Sequence, residues 1–151
     1  MRRAEKEIKD QNVINNILNS AIICRVGFAG DDYPYIVPMN YGHSDNALYF
    51  HCALEGKKIE LIKQNNKVCF EIEKSHQIIS DDVSCKWSTK YQSIIGFGEI
   101  EIIDDTDEKI KGLDIIMTQH GKSENSYSKK AVEKVRVLKL QIDSLTGKQS
   151  N

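Results

Sequence analysis

Residues Val135 to Leu145 read VRVLKLQIDSL, apolar side chains taking turns with charged or polar ones. A period of two sends alternate side chains to opposite faces of an extended chain. Such a segment is a strand with one buried face, and it needs a sheet to belong to. Five other segments suit the same sheet. Ala21 to Phe28 (AIICRVGF) is apolar and rich in branched residues. Tyr33 to Tyr41 (YPYIVPMNY) alternates but holds both prolines of the chain, Pro34 and Pro38. Proline cannot donate to a ladder, so these positions belong at an edge, a strand end or a bulge. Ala47 to Ala53, Lys67 to Glu73 and Tyr91 to Ile103 complete the set, with turns at Gly30-Asp31-Asp32 and Ser44-Asp45-Asn46. Gly96 and Gly98 inside a strand predict a bulge, a bend, or close approach by a ligand or another backbone.

A helical period is rarer. Asp10 caps a helix whose apolar face is Val13, Ile14, Ile17 and Leu18. Ile59, Leu61 and Ile62 give a short second helix. Acidic residues from Asp104 to Glu108 open a third, followed by the stripe Ile110, Leu113, Ile116 and Met117. Ala131 to Glu133 adds one turn. Residues 74–89 (KSHQIISDDVSCKWST) lack a clear period and read as a long loop, of the kind that is often functional or mobile. Successive strands with few crossover helices predict a mainly β, α+β fold. The expectation is a six-stranded antiparallel barrel with two or three flanking helices, in one domain over residues 1–151.

Bulk properties exclude several classes. The net charge of −1 provides no overall basic field for nucleic acid. The apolar runs are too short to span a bilayer, and MRRAEKEIKD is not a secretory signal. Four widely spaced cysteines without C-x-x-C read as reduced thiols of a cytoplasmic protein. Cys24, Cys52 and Cys69 are expected as small buried hydrophobes, and no zinc spacing is present.

The stretch LYFHCALEGKKIELIKQNNKVCF, residues Leu48 to Phe70, carries the chemistry. It reads as strand, break at Gly56, helix, strand. A helix N-terminus offers unpaired N–H groups and partial positive charge, which together suit a phosphate. Lys57 and Lys58 stand in that first turn, where the dipole opposes cations unless an anion is near. The alternative is a solvated lysine pair with Glu55 and Glu60 as partners. The glycine spacing of a Walker A loop is missing. His51 shares a strand face with Tyr49 and Ala53, either as a satisfied structural residue or as a group titrating near neutral pH.

The segments YPYIVPMNYG (33–42), LYFHCALEGKKIELIKQN (48–65), VCFEI (68–72) and YQSIIGFGEIEIIDD (91–105), with the tail LTGK, resemble the pyridoxamine 5′-phosphate oxidase-like flavin-binding proteins. Within that group they are most similar to the nitroimidazole resistance proteins of the Nim type. The resemblance implies a split β-barrel homodimer with flavin at the subunit interface. By that resemblance Lys57 and Lys58 hold the flavin phosphate, and Val37, Pro38, Met39 and Asn40 line the isoalloxazine ring. His51, Cys52 and Ala53 lie beside phosphate and ring, with His51 the match to the functional histidine. Trp87, Tyr91 and Ser93 lie where the partner subunit reaches the cofactor; Trp87 is alternatively an aromatic packed at the dimer seam. The implied cofactor is FMN or FAD. The implied activity is reduction of nitro groups on small heteroaromatics, and the electron donor is unspecified because no G-x-G-x-x-G is present. A longer chain with extra basic residues, needed to oxidise pyridoxamine phosphate, is not matched. The rival readings are a non-catalytic flavin or haem carrier, with His51 as axial ligand, and a cofactor-free interaction protein.

Overall fold

A computed structural model describes residues 3–150 of the chain. Among the described residues there are seven strands: β1 (Glu7–Ile8), β2 (Ile23–Phe28), β3 (Tyr35–Ser44), β4 (Ala47–Cys52), β5 (Lys67–Ile79), β6 (Ser88–Ile103) and β7 (Arg136–Ser150). They run antiparallel in the order β1-β7-β4-β3-β2-β5-β6, and β6 pairs back onto β7. The last six strands therefore close a barrel, and β1 adds to the far end of β7. The helices are α1 (Gln11–Ser20), α2 (Lys57–Gln64), α3 (Thr106–Gln119) and the single turn α4 (Lys129–Glu133).

The barrel interior follows from the alternation. Cys24, Val26 and Phe28 of β2, Leu48 and Phe50 of β4, Phe70 and Ile72 of β5, Ile94 and Ile100 of β6, and Leu138 and Leu140 of β7 are all essentially buried. Each large apolar side chain placed there stabilises the fold by about 1.5–3 kcal/mol. In β7 the alternation breaks twice. Val137 faces α3 while Leu138 faces the barrel, so both are buried. Opposite Phe97 and Gly98 the register skips Asp143, a bulge that returns Leu145 to the inside. A Cβ on Gly98 would collide with the Gln141 carbonyl, and one on Gly96 with the Phe70 ring. Packing explains both glycines without a ligand.

The helices seal the barrel's surfaces. The Asp10 side chain accepts from the Asn12 N–H at 2.8 Å, and α1 then buries Ile14, Ile17 and Leu18. The Tyr41 hydroxyl, fully buried, donates to the Leu18 carbonyl at 2.6 Å and ties α1 to β3. Helix α3 lies across β3 and β4, capped by Asp105, which accepts from the Glu108 N–H at 2.9 Å. Its close approach depends on Gly42, whose Cβ would meet the Ile115 and Ile116 backbone.

Two expectations are corrected. Residues 74–89 are mostly not a loop: β5 runs to Ile79, β6 starts at Ser88, and only residues 80–87 connect them. The missing period arises because this hairpin projects with both faces exposed, so no apolar face is selected; a register shift between Lys74 and His76 marks where it leaves the barrel wall. Cys69 is exposed, because it takes an outward position of β5, whereas Cys24 is buried and Cys52 half-buried. The two-residue β1 was not expected; it is too short to leave a periodic signal.

Candidate functional site

The barrel wall is split between β3 and β4. Their pairing runs from Ser44 and Ala47 only as far as Tyr41 and Phe50. Beyond that point, residues Tyr35 to Asn40 pair with β2 alone, and His51 and Cys52 pair with β7 alone. On this edge of β3 alternate residues, Pro38 and Asn40 among them, turn their backbone groups away from β2 into the split, while Val37 and Met39 take the positions bonded to β2. Pro38 stands opposite Arg25 without a register shift, so of the three sequence options the edge applies rather than a bulge.

After β4 the chain turns into α2. Gly56 has φ +134°, a conformation that side-chain-bearing residues rarely adopt, and a Cβ there would meet nothing within 4 Å. Among the described residues no side chain caps α2, whose apolar residues Ile59, Leu61 and Ile62 anchor it in the core. An uncapped N-terminus facing open space, with Lys57 and Lys58 in its first turn, suits an anion. The two lysines diverge. Lys57 reaches outward, its Nζ 4.8 Å from the centre of the Tyr35 ring, a cation–π distance. Lys58 is half-buried and stands toward Cys52.

Burial pushes the Cys52 thiol above its ordinary range, against the pull of Lys58 and Arg136. Arg136 was missed from sequence. It opens β7 opposite Cys52, donates from Nε to the Leu54 carbonyl at 3.4 Å and pairs with Asp104 at 3.3 Å. Only the β4–β7 pairing brings this third cation to the end of β4, and that pairing has no local signal. Tyr35 was missed for a similar reason, since its role depends on the direction Lys57 takes.

The structure thus brings together Val37, Pro38, Met39, Asn40, His51, Cys52, Ala53, Lys57 and Lys58 around one split. His51 is exposed on the outer face of β4, and Met39 is buried against the core. Trp87, Tyr91 and Ser93 do not join them within one chain. Trp87 lies in the connection before β6 and Tyr91 and Ser93 lie in β6, and β2 and β5 stand between β6 and β3. Trp87 is exposed near the arm's tip, its indole N–H donating to the Asp81 carbonyl at 2.6 Å.

A second feature covers the outer face of β3, β2, β5 and β6. The register aligns Ile36, Gly27, Cys69 and Phe97 in one row. Ile36, Ile95 and Phe97 are 65%, 51% and 56% exposed. A shallow groove of about 570 Å³ runs along this row.

Residues 10–149 match the family model described as pyridoxamine 5′-phosphate oxidase. The chain belongs to the pyridoxamine 5′-phosphate oxidase family. Within it, a solved structure from Bacteroides thetaiotaomicron, assigned a candidate role in 5-nitroimidazole antibiotic resistance, is 38% identical. It superposes with a TM-score of 0.85 over 95% of this chain and 86% of that one. A protein of Mycobacterium smegmatis that binds FAD and haem shares the fold at 19% identity and a TM-score of 0.86, covering 97% and 74% of the two chains. An FAD-binding protein of Mesorhizobium loti does so at 19% identity and 0.70, covering 97% and 98%. A curated, uncharacterised protein of Rhizobium meliloti is 42% identical over 50 residues, 33% of this chain and 32% of that protein. The chain thus spans about a third of that curated relative's length.

Proposed function

We propose that this protein is a flavin-dependent reductase of small nitroaromatic compounds, of the 5-nitroimidazole kind, working as a homodimer. The observation that carries the reading is the split between β3 and β4. It joins a free strand edge to an uncapped, lysine-flanked helix start. The residues present fit a flavin. The open β3 edge offers the Pro38 and Asn40 carbonyls and the Asn40 N–H to a flat heterocycle. The N–H groups after Gly56, with Lys57 and Lys58, offer charge-assisted bonds to a phosphate. The Bacteroides relative supports the nitroimidazole part of the reading.

A bound flavin would carry electrons from an external reductant to the nitro group, taking it to the amine without releasing a one-electron radical. This chain's residues would bind, orient and protonate. Lys57 and Lys58 fix the phosphate end, and the β3 edge fixes the ring. His51 is exposed where β4 leaves the sheet and supplies protons to the reducing nitro group. Cys52 and Ala53 close the floor between ring and phosphate.

The dimer rests on the outer apolar row. Monomers rarely expose a contiguous apolar patch of this kind, and a two-fold contact would cover Ile36, Ile95 and Phe97. The same contact would carry the partner subunit's Trp87, the partner subunit's Tyr91 and the partner subunit's Ser93 to the split, completing the pocket.

The test is turnover of a 5-nitroimidazole by purified, flavin-loaded protein with chemical reductant under anaerobic conditions. Amine formation is expected. His51→Gln should slow it by roughly a hundredfold, the usual scale of a positioned proton donor, while flavin stays bound. No turnover by the wild type would overturn the reductase assignment. The absorption spectrum checks the cofactor itself, since twin flavin bands and a Soret band are easily told apart.

A further inference from the structure

Between the C-terminal end of α1, the second half of α3 and the end of β3 lies a polar groove of about 380 Å³, lined by Asn19, His43, Ser44, Asp114, Thr118 and Gln119 among others. We propose that it binds a small aliphatic amine by its ammonium group. The site is independent of the split. His43 lies beyond Asn40 by roughly 10 Å of extended strand. None of the lining residues belongs to the split or to the outer apolar row.

Local sequence builds one wall. Asp114 and Thr118 stand at i, i+4 spacing, as do Ile115 and Gln119, so the two pairs share one face of α3. Gly42 brings that face down onto β3, since the Ile115 backbone occupies the space of a Cβ. A helix face packed so closely is ordinarily apolar, and here only Ile115 is. Gln119 holds the walls together. Its Nε2 donates to the Leu18 and Ala21 carbonyls at 2.9 and 2.7 Å, and its Oε1 accepts from the His43 N–H at 3.3 Å. These bonds tie α1, α3 and β3 to one another around the groove. Asp114 and Thr118 are left to line it.

The charge selects the ligand. The Tyr127 hydroxyl donates to the Asp114 Oδ1 at 2.9 Å, which leaves Oδ2 for another donor. Among the described residues no ion pair neutralises Asp114, and no lysine or arginine lines the groove. Asp45, accepting from the Ser44 hydroxyl at 3.2 Å, adds a second negative charge at the rim. Helices α1 and α3 also end here, and a helix C-terminus carries partial negative charge. His43 brings no opposing charge, because burial lowers its pKa and keeps the ring neutral near neutral pH. Its Nδ1, 2.8 Å from the Asn19 Oδ1, holds the ring proton. Nε2 is then an acceptor.

An ammonium group carries three donors and no acceptor. The Asp114 Oδ2, the His43 Nε2 and the Thr118 hydroxyl oxygen are acceptors of matching number, and Ile115 gives the alkyl chain an apolar wall. A metal ion suits the groove less well, since among the described residues no three His, Cys, Asp or Glu side chains converge. An anion meets only repulsion. Ligand pockets run from roughly 300 to 1,000 Å³, and a groove at the small end of that range takes a short amine.

The experiment is calorimetric titration of the full-length protein with putrescine, and with 1,4-butanediol as its neutral counterpart, while nuclear magnetic resonance follows the His43 ring. Putrescine should bind saturably and shift the His43 signals; the diol should do neither. Asp114→Asn keeps an oxygen for the Tyr127 hydroxyl but removes the charge. It should weaken putrescine binding roughly tenfold or more, the scale of a charge-assisted hydrogen bond. Thr118→Val, at an exposed position, should weaken it severalfold. Lys57→Ala/Lys58→Ala should bind putrescine as the wild type does, which separates this site from the flavin reading. No binding of putrescine, equal binding of the diol, or unchanged affinity in Asp114→Asn would each overturn the proposal. So would binding that leaves the His43 signals in place, since the amine would then sit elsewhere.

Discussion

At the residue scale, much of the candidate site was legible because its chemistry is local. Gly56 followed by Lys57 and Lys58 places a sharp turn, free N–H groups and two cations within three positions. Those constraints act before any tertiary contact forms. Arg136 was not legible, since only the pairing of β4 with β7 brings it to Cys52. His43 was not legible either. It stands half-buried between α1 and the β3–β4 hairpin, its Nδ1 2.8 Å from the Asn19 Oδ1. An amide oxygen only accepts, so Nδ1 carries the proton. Burial lowers the His43 pKa, and Asp45 opposes this more weakly. The unfolded chain then binds more protons than the folded one at mildly acidic pH. His43 stabilises the fold fully above its unfolded value of about 6.5, and that contribution is lost as pH falls through the lowered folded value. Thermal midpoints measured across pH 5 to 8 (roughly, the range in which histidine titrates) should drop on the acidic side. His43→Gln should flatten that slope; an unchanged slope would assign it to other groups.

At the element scale, the strands with one buried face were readable and those exposed on both faces were not. β2, β4 and β7 carry alternating burial and were visible as strands. The projecting β5–β6 arm has no inside, so no period marks it, and its polar residues imitate a loop. Helix α3 shows the opposite case, where a strand residue controls a helix. Gly42 lets α3 lie close on β3, because any Cβ there meets the Ile115 and Ile116 backbone, which cannot rotate away as a side chain would. Gly42→Ala should therefore destabilise by about 1–3 kcal/mol, the usual cost of overpacking. Denaturant unfolding followed by far-UV circular dichroism would read it. A change within a few tenths of a kcal/mol would mean that α3 can slide outward freely.

At the scale of the whole molecule, sequence predicts a barrel but says little about what covers its outer wall. Ile36, Ile95 and Phe97 alternate with inward residues and so look like the exposed half of ordinary strands. The alignment of Ile36 and Phe97 into one row with Cys69, with Ile95 in the neighbouring row, appears only once β3, β2, β5 and β6 are in register. If a second copy covers this row, Phe97→Asp should convert the dimer to a monomer in light scattering at micromolar concentration, without unfolding it. Cys69 should then become freely reactive toward a thiol reagent, having been protected in the wild type. A wild type that is monomeric, or a Cys69 equally reactive in both, would remove the dimer and with it the completed pocket. The proposed function turns on the split beside Gly56 holding a flavin by its phosphate. Its most direct test is a fluorescence titration with FMN of the wild type and of the Lys57→Ala/Lys58→Ala double variant. Saturable binding that weakens by about 2–4 kcal/mol in the variant is the predicted result, for two lost charge-assisted contacts. No binding by the wild type, or equal binding by the two proteins, would contradict it.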